Sequence, residues 1–342
     1  MTARRPAATA AGAILLWAAV PAPGFAASAA GTGYRAYVAL SGGWRVAEID
    51  VATDKLLPDN IPADSVHGVA IAPDGSTVYA TETGHYAVKV VDTATGKSIS
   101  VTVGSYPQDV AVSPDGRRVF VTVTGSDTGP GGADTVAVID TATAKVVADI
   151  KLGAAPRRVV FSPNGSRAWV TTATGVAVID TATLRLADTI ADDEPTGPQG
   201  LAVSPDGARV YVTNPAAGNL WVIDSANDRV RRRIPVGVEP YAVTAVRDSR
   251  YLYVADMNSD TVAVVDPGVG RIVRTIPVGR LPMSVAATAD GSQVWVGNGL
   301  SGSISVIDTE SRTVQQTIEL GSRTSALNTE AVAIAFGTPR TP

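Results

Sequence analysis

Hydrophobic positions along the chain fall in short runs, separated by polar clusters rich in Gly, Pro, Asp and Thr. Val69-Ala70-Ile71-Ala72, Thr77-Val78-Tyr79-Ala80-Thr81, Ala87-Val88-Lys89-Val90-Val91 and Ser98-Ile99-Ser100-Val101-Thr102-Val103 follow one another with only turns between them. Short runs dominated by β-branched, aromatic and small apolar residues predict strands. No segment sustains a 3.6-residue period, which excludes a helical solenoid.

The pattern repeats. A turn signal reads Pro73-Asp74-Gly75, Pro114-Asp115-Gly116, Pro163-Asn164-Gly165 and Pro205-Asp206-Gly207, with weaker copies at Asp248-Ser249, Asp290-Gly291 and Gly33. The turn positions are spaced by 42, 41, 49, 42, 42 and 42 residues. Four residues after each comes an aromatic: Tyr37, Tyr79, Phe120, Trp169, Tyr211, Tyr253 and Trp295. A second marker, an apolar residue followed by Asp, places aspartates at 50, 92, 140, 180, 224, 266 and 308. Pro presets φ and Gly accepts positive φ in the first turn, and the Asp side chain can cap backbone N–H groups in the second. These aspartates are therefore expected to be structural.

Each unit reads as four strands, A to D, joined by an A–B turn at the Pro-Asp-Gly signal and a C–D turn at the aspartate. Seven such units predict an all-β, seven-bladed β-propeller of four-stranded antiparallel blades. The first unit begins at strand B (Arg35 to Ala39), and the tail Glu330-Ala331-Val332-Ala333-Ile334-Ala335 matches strand A. The C-terminal strand is expected to join the N-terminal blade and close the ring, leaving no free edge there. Residues 30–342 are read as this single propeller domain.

Tyr211-Val212-Thr213-Asn214, with the variants Tyr253-Val254-Ala255-Asp256 and Trp295-Val296-Gly297-Asn298, resembles the signature of the YVTN family of β-propeller repeats. The resemblance covers roughly residues 33–336. It implies a seven-bladed propeller, usually exported in bacteria, and implies little about activity, because such repeats mark fold rather than chemistry. Related propellers serve as binding scaffolds, lactonases or cofactor-carrying domains.

The first residues change the picture of where the protein works. Arg4 and Arg5 precede an apolar stretch from Ala10 to Val20, followed by small residues. That order predicts a signal peptide over 1–29, cleaved between Ala26 and Ala30, and an exported bacterial protein, periplasmic or extracellular. The apolar run is shorter than the ~20 residues that span a bilayer, and no membrane span is expected after its removal. The net charge of −4 gives no broad attraction to nucleic acid or anionic membranes. The chain has no cysteine, hence no disulfide, thiolate metal site or CxxCH haem attachment.

Irregularity collects on the face formed by the B–C and D–A loops. It includes the Gly-rich Gly125 to Asp134 loop and the Ala191 to Gly197 insertion. Insertions in repeat proteins gather on one face, often the binding face. At the start of strand A, one variable position per unit holds His67, Gln108, Arg157, Gln199, Tyr241, Met283 and Glu330. A four-residue A–B turn pairs these across the hairpin with residues at the end of strand B. The pairs are His67 with Glu82, Arg157 with Thr172, Gln199 with Asn214, Tyr241 with Asp256, Met283 with Asn298, and Glu330 with Leu40. A ring of different polar residues around one opening suits a small asymmetric ligand. A register error of one residue would turn these side chains to the other side.

His67 and Glu82 are the candidate catalytic pair, since a carboxylate can orient an imidazole as a general base. With Asp256 or Glu330 they could hold a divalent cation; no other cofactor is predicted. The competing reading is a polar cross-strand pair. His85 reads as a solvated loop residue, and Arg157-Arg158 as either an anion site or a solvated pair. Arg229, Arg231, Arg232 and Arg233 fall on an outermost strand, where charge blocks edge pairing, and no aromatics interleave with them as nucleic-acid binding would require. Trp169 and Trp295 read as blade packing; Trp44 and Trp221 open C strands and are expected to be partly exposed. Gly129-Pro130-Gly131-Gly132 lacks a following Gly-Lys-Ser/Thr and is no phosphate loop. No nucleophile elbow or His-Glu-x-x-His motif is present. The expectation is a monomeric scaffold binding a protein or small molecule at the loop face. The alternative is a lactonase-like hydrolase or lyase using His67 and Glu82.

Overall fold

The computed structural model describes residues 33–42, 45–125, 134–191, 197–247, 250–321 and 330–338. The signal-peptide expectation, Trp44, Asp248-Ser249, and most of the 125–134 loop and of the 191–197 insertion lie outside the described residues.

Seven antiparallel sheets form, each with strand A at one end and strand D at the other. Blade 2 is representative: Val69–Ile71, Thr77–Glu82, Ala87–Asp92 and Ser98–Thr102. The predicted ring closure is present. The C-terminal strand Ala331–Gly337 pairs antiparallel with Arg35–Leu40 in the first blade. Only the rim of that blade departs from the four-strand plan. Two short pieces, Lys55–Leu56 and Ile61–Pro62, both pair with Arg45–Asp50 in place of a continuous strand D. Pro58 lies between them, where a ladder N–H would be needed.

The core is a set of layers between blades, and the repeated aromatic explains it. Tyr37 packs on Val78 and Ala80 of the next blade, Tyr79 on Val119 and Val121, and Phe120 on Ala168 and Val170. Trp169 packs on Val210 and Val212, Tyr211 on Leu252 and Val254, and Tyr253 on Val294 and Val296. Trp295 closes the circle against Ala36 and Val38 of the first blade. Burying one such side chain stabilises by ~1.5–3 kcal/mol. Trp221 is also fully buried, at 0% exposure, and not partly exposed as its position suggested. It lies in the middle of strand C (Asn219–Asp224) and faces the blade before it.

The A–B and C–D turns share one face and are stitched together there. Thr93 donates its hydroxyl to the Gly75 carbonyl (2.7 Å), Thr141 to Gly116 (2.8 Å) and Thr309 to Gly291 (2.7 Å). The repeated aspartates cap their turns: Asp140 Oδ1 accepts both the backbone N–H (2.9 Å) and the hydroxyl (2.8 Å) of Thr143. Those bonds hold the Asp140 carboxyl below its usual range. The arginine-rich strand Arg229–Pro235 is outermost in its sheet, with Arg231 paired to Asp224 at 3.0 Å and Arg232 donating to the Gly268 carbonyl at 3.1 Å.

Candidate functional site

A β-bulge at the start of strand A decides what faces the axis. Thr172 pairs with Pro156, Asp256 with Pro240 and Asn298 with Pro282. The register shifts immediately after each proline. Proline cannot donate to a ladder and settles at bulges. The expected pairs Arg157 with Thr172, Tyr241 with Asp256, and Met283 with Asn298 are therefore displaced by one residue. Leu40 pairs with Ala331, so Val332, not Glu330, takes the place that Tyr241 holds in its blade. Glu330 sits one residue further out, where its carbonyl accepts the Ser41 N–H at 3.1 Å.

The displacement splits the predicted mouth in two. His67, Gln108, Arg157, Gln199, Tyr241 and Met283 are half-buried on the innermost strands or at their start, and Glu330 is half-buried beyond the end of the closing strand. The strand B residues are instead shut between blades: Glu82 is 1% exposed, Asn214 0%, Asp256 3% and Asn298 0%. Asn298 donates from Nδ2 to Ser303 and Ser305 at 3.2 and 2.9 Å. The Asp256 carboxyl lies against Gly237, where a β-carbon would stand 2.7 Å from Oδ2. Burial pushes Asp256 up to about 7.

His67 and Glu82 are drawn to different partners. Glu82 accepts from Lys89 Nζ (3.0 Å), Ser100 Oγ (3.2 Å) and the Asp64 N–H (3.4 Å), all beside the blade 1–2 interface. His85 is exposed and stands 3.8 Å from Glu82 and 3.9 Å from Asp64. His67 is lowered from its ordinary value by burial and then by Arg158, with Glu330 acting the other way. Its electrostatic neighbours are thus Arg158 and Glu330, both on other blades. Among the described residues no group of three or more His, Cys, Asp or Glu is arranged to hold a metal.

The residues that sequence reasoning undervalued are Asp109 and Arg158. At the bulge the Asp109 side chain turns toward strand A of the next blade, where Arg158 meets it. Arg158 Nη1 stands 3.4 Å from Asp109 Oδ1, and Nη2 donates across the ring to the Val332 carbonyl at 3.3 Å. Asp109 Oδ2 accepts the Val159 N–H at 3.0 Å. Desolvation raises the Asp109 carboxyl, opposed by Arg158 and the backbone bonds. The signal in the sequence is the proline two residues before Asp109 and before Arg158. Charge gathers on the inner strands of blades 2 to 4 (His67, Asp109, Arg157, Arg158), while blades 5 to 7 present Gln199, Tyr241 and Met283 there; one residue further out, Glu330 of blade 1 is matched by Glu239 of blade 6.

Threonines at the penultimate position of strand B fix this ring. Thr213 accepts the Gly200 N–H at 2.7 Å and donates to the Tyr241 carbonyl of the next blade at 3.0 Å. Thr122 and Thr171 do the same toward Arg157 and Gln199, at 2.9 and 3.0 Å. The Thr-Asn pair of Tyr211-Val212-Thr213-Asn214 thus supplies one stitch to the next blade and one polar plug against the previous one.

A closed ring of seven stitched blades around a charge-asymmetric axis defines this molecule as a seven-bladed β-propeller. The YNCE-like β-propeller family matches residues 62–250, more than half of the chain, and the chain belongs to that family. No curated protein matches it. Among solved structures it is similar to hydrazine synthase of Kuenenia stuttgartiensis, with TM-score 0.72 and 23% identity over 79% of this chain and 90% of that one. It also resembles a functionally unknown protein from Desulfotomaculum acetoxidans DSM 771, with TM-score 0.71 and 16% identity over 90% of this chain and 99% of that one. A candidate 6-phosphogluconolactonase from Bacteroides uniformis ATCC 8492 superposes with TM-score 0.72 and 17% identity, over 89% of this chain and 99% of that one. At these identities the likeness is one of fold.

Proposed function

We propose that this propeller is an exported, monomeric binding scaffold whose ligand face is formed by the D–A and B–C loops around the axis. The carrying observation is Arg158, which pairs with Asp109 of the neighbouring blade and reaches across the ring to Val332, among innermost strands whose residues differ blade by blade. The opposite face supports the choice, because its repeated turns spend their polar groups on one another. Acidic net charge and the rim position of the arginines argue against nucleic acid as the partner. The leader read at Arg4, Arg5 and Ala10 to Val20 supports export; an intact leader on protein recovered from the cell envelope would contradict it.

Hydrogen exchange with pooled envelope metabolites and proteins tests the face. Slowed exchange at residues 64–68, 104–109, 153–158 and 237–241 is the expected result. Protection confined to the Pro-Asp-Gly turns would reverse the assignment. The lactonase-like alternative needs His67 and Glu82 to cooperate, whereas Glu82 is bound to Lys89 and Ser100. Lactone turnover abolished by both His67→Ala and Glu82→Ala would replace the scaffold reading with the enzymatic one.

A further inference from the structure

Arg158 is an arginine with unspent capacity. A guanidinium carries five donors in a rigid fork matched to a carboxylate, and it stays charged at any ordinary pH. Here its hydrogen bonds to Asp109 and Val332 are 3.4 and 3.3 Å long. Charge-assisted bonds in good geometry are ~2.7–2.9 Å. Asp109 meets the fork through Oδ1 alone, while its Oδ2 accepts the Val159 N–H.

We infer that the charged half of the axis is a site for a small organic monocarboxylate, gripped by Arg158 in place of its loose bond to Asp109, with Arg157 and His67 beside it. The inference rests on the scaffold reading and names the ligand class of that same site. The ligand's two oxygens satisfy the fork that Asp109 satisfies with one. His67, held toward its neutral form by burial and by Arg158, adds a polar contact without adding charge. The ligand's carbon body faces the uncharged side chains of Gln199, Tyr241 and Met283, with Glu239 one residue further out. A phosphate dianion would bring a second negative charge beside Asp109 and Glu330. That makes a monoanion the better fit.

Calorimetric titration of the mature protein with propionate, butyrate, butyramide and inorganic phosphate at pH 7 tests this. The expected result is binding of both carboxylates, with butyramide at least about tenfold weaker for want of a charge-assisted fork and phosphate weaker than butyrate because of its second negative charge. Arg158→Gln should weaken butyrate at least about tenfold with its melting transition intact, and Asp109→Asn should tighten it, because the internal competitor loses its charge. If Arg158→Gln does not fold, the Asp109→Asn arm still decides. Butyrate affinity unmoved by Arg158→Gln or weakened by Asp109→Asn overturns the site, and phosphate bound as tightly as butyrate overturns the ligand class. Absence of heat with every carboxylate, for wild type and Asp109→Asn alike, also refutes the inference. Exchange protection of the loop face by another ligand would in that case leave the scaffold reading standing.

Discussion

Ser284 lies directly opposite Gly297, and its hydroxyl donates to the carbonyl of Ala331 on the closing strand at 3.0 Å. Blade 5 uses the reverse order, with Gly200 on strand A and the donor Thr213 on strand B. In blade 7 the reversal is forced, because a β-carbon on Gly297 would stand 2.5 Å from the Ala331 carbonyl oxygen and 2.3 Å from Ser284 Oγ. Gly297→Ala should therefore destabilise by ~1–3 kcal/mol, the usual cost of overpacking. Adding Ser284→Ala should not rescue it, since the backbone oxygen remains. Urea unfolding of the single and double variants checks this; a double variant as stable as wild type would contradict it.

The fold was legible because its signals are local and periodic. Tyr79, Trp169 and their equivalents repeat at one offset from a turn, and Asp140 needs only its own turn to act. The tail was legible because Ala331 to Ala335 copies a strand that the first blade lacks. The site was less so. Pairing arithmetic assumes an unbroken ladder, and Pro156 opposite Thr172 breaks it by one residue. One residue suffices to change what strand A presents and to bring Asp109 against Arg158 of the next blade; Glu82 and Asp256 lie between blades through strand B's own alternation. The recurring prolines at 107, 156, 240 and 282 carried that information, since a proline within a strand pattern marks a bulge or an edge.

Asp256 should make stability depend on pH. Its carboxyl titrates at about 7 when folded, against 3.8 for the free side chain, because burial disfavours the charged form. The folded protein then holds an extra proton between these values, so stability falls as pH rises from about 4 to about 7 and levels off above. Neighbouring blades place Asn214 and Asn298 at the equivalent position. Asp256→Asn should flatten that slope and stabilise the protein at pH 8, by a few kcal/mol at most. Melting temperatures of both proteins at pH 5 and pH 8 check this. An unchanged difference between the two pH values would remove Asp256 as its source.

Lys89 should matter more than its partly exposed position suggests. It supplies the charge that accompanies Glu82 into the blade interface, with Ser100 as the second donor. Lys89→Met leaves a buried carboxylate without its cation, a change that costs ~3–5 kcal/mol in buried pairs. Glu82→Gln keeps an acceptor for both donors and should cost less, ~1 kcal/mol. Denaturant midpoints at pH 7 give the comparison. Equal losses from the two variants would mean that the lysine acts through packing alone.

Closure of the ring should be the step on which cooperativity depends. Arg35–Leu40 has Arg45–Asp50 on one side and only the C-terminal strand on the other. Phe336 of that strand packs edge-on against Trp295 (5.4 Å between ring centroids) and stacks on Tyr34 (6.0 Å), tying blade 7 to blade 1. A chain ending at residue 330 would expose a hydrophobic strand edge, which templates pairing with other chains. It should lose its single sharp transition and form oligomers, measured by calorimetry and light scattering. A synthetic peptide of residues 330–338 added in trans should restore a monomer, because the missing strand contributes ladder bonds and Phe336 without covalent continuity. A truncated chain that stays monomeric and melts as the full chain does would show that six complete blades and a three-stranded seventh hold the ring without this strand.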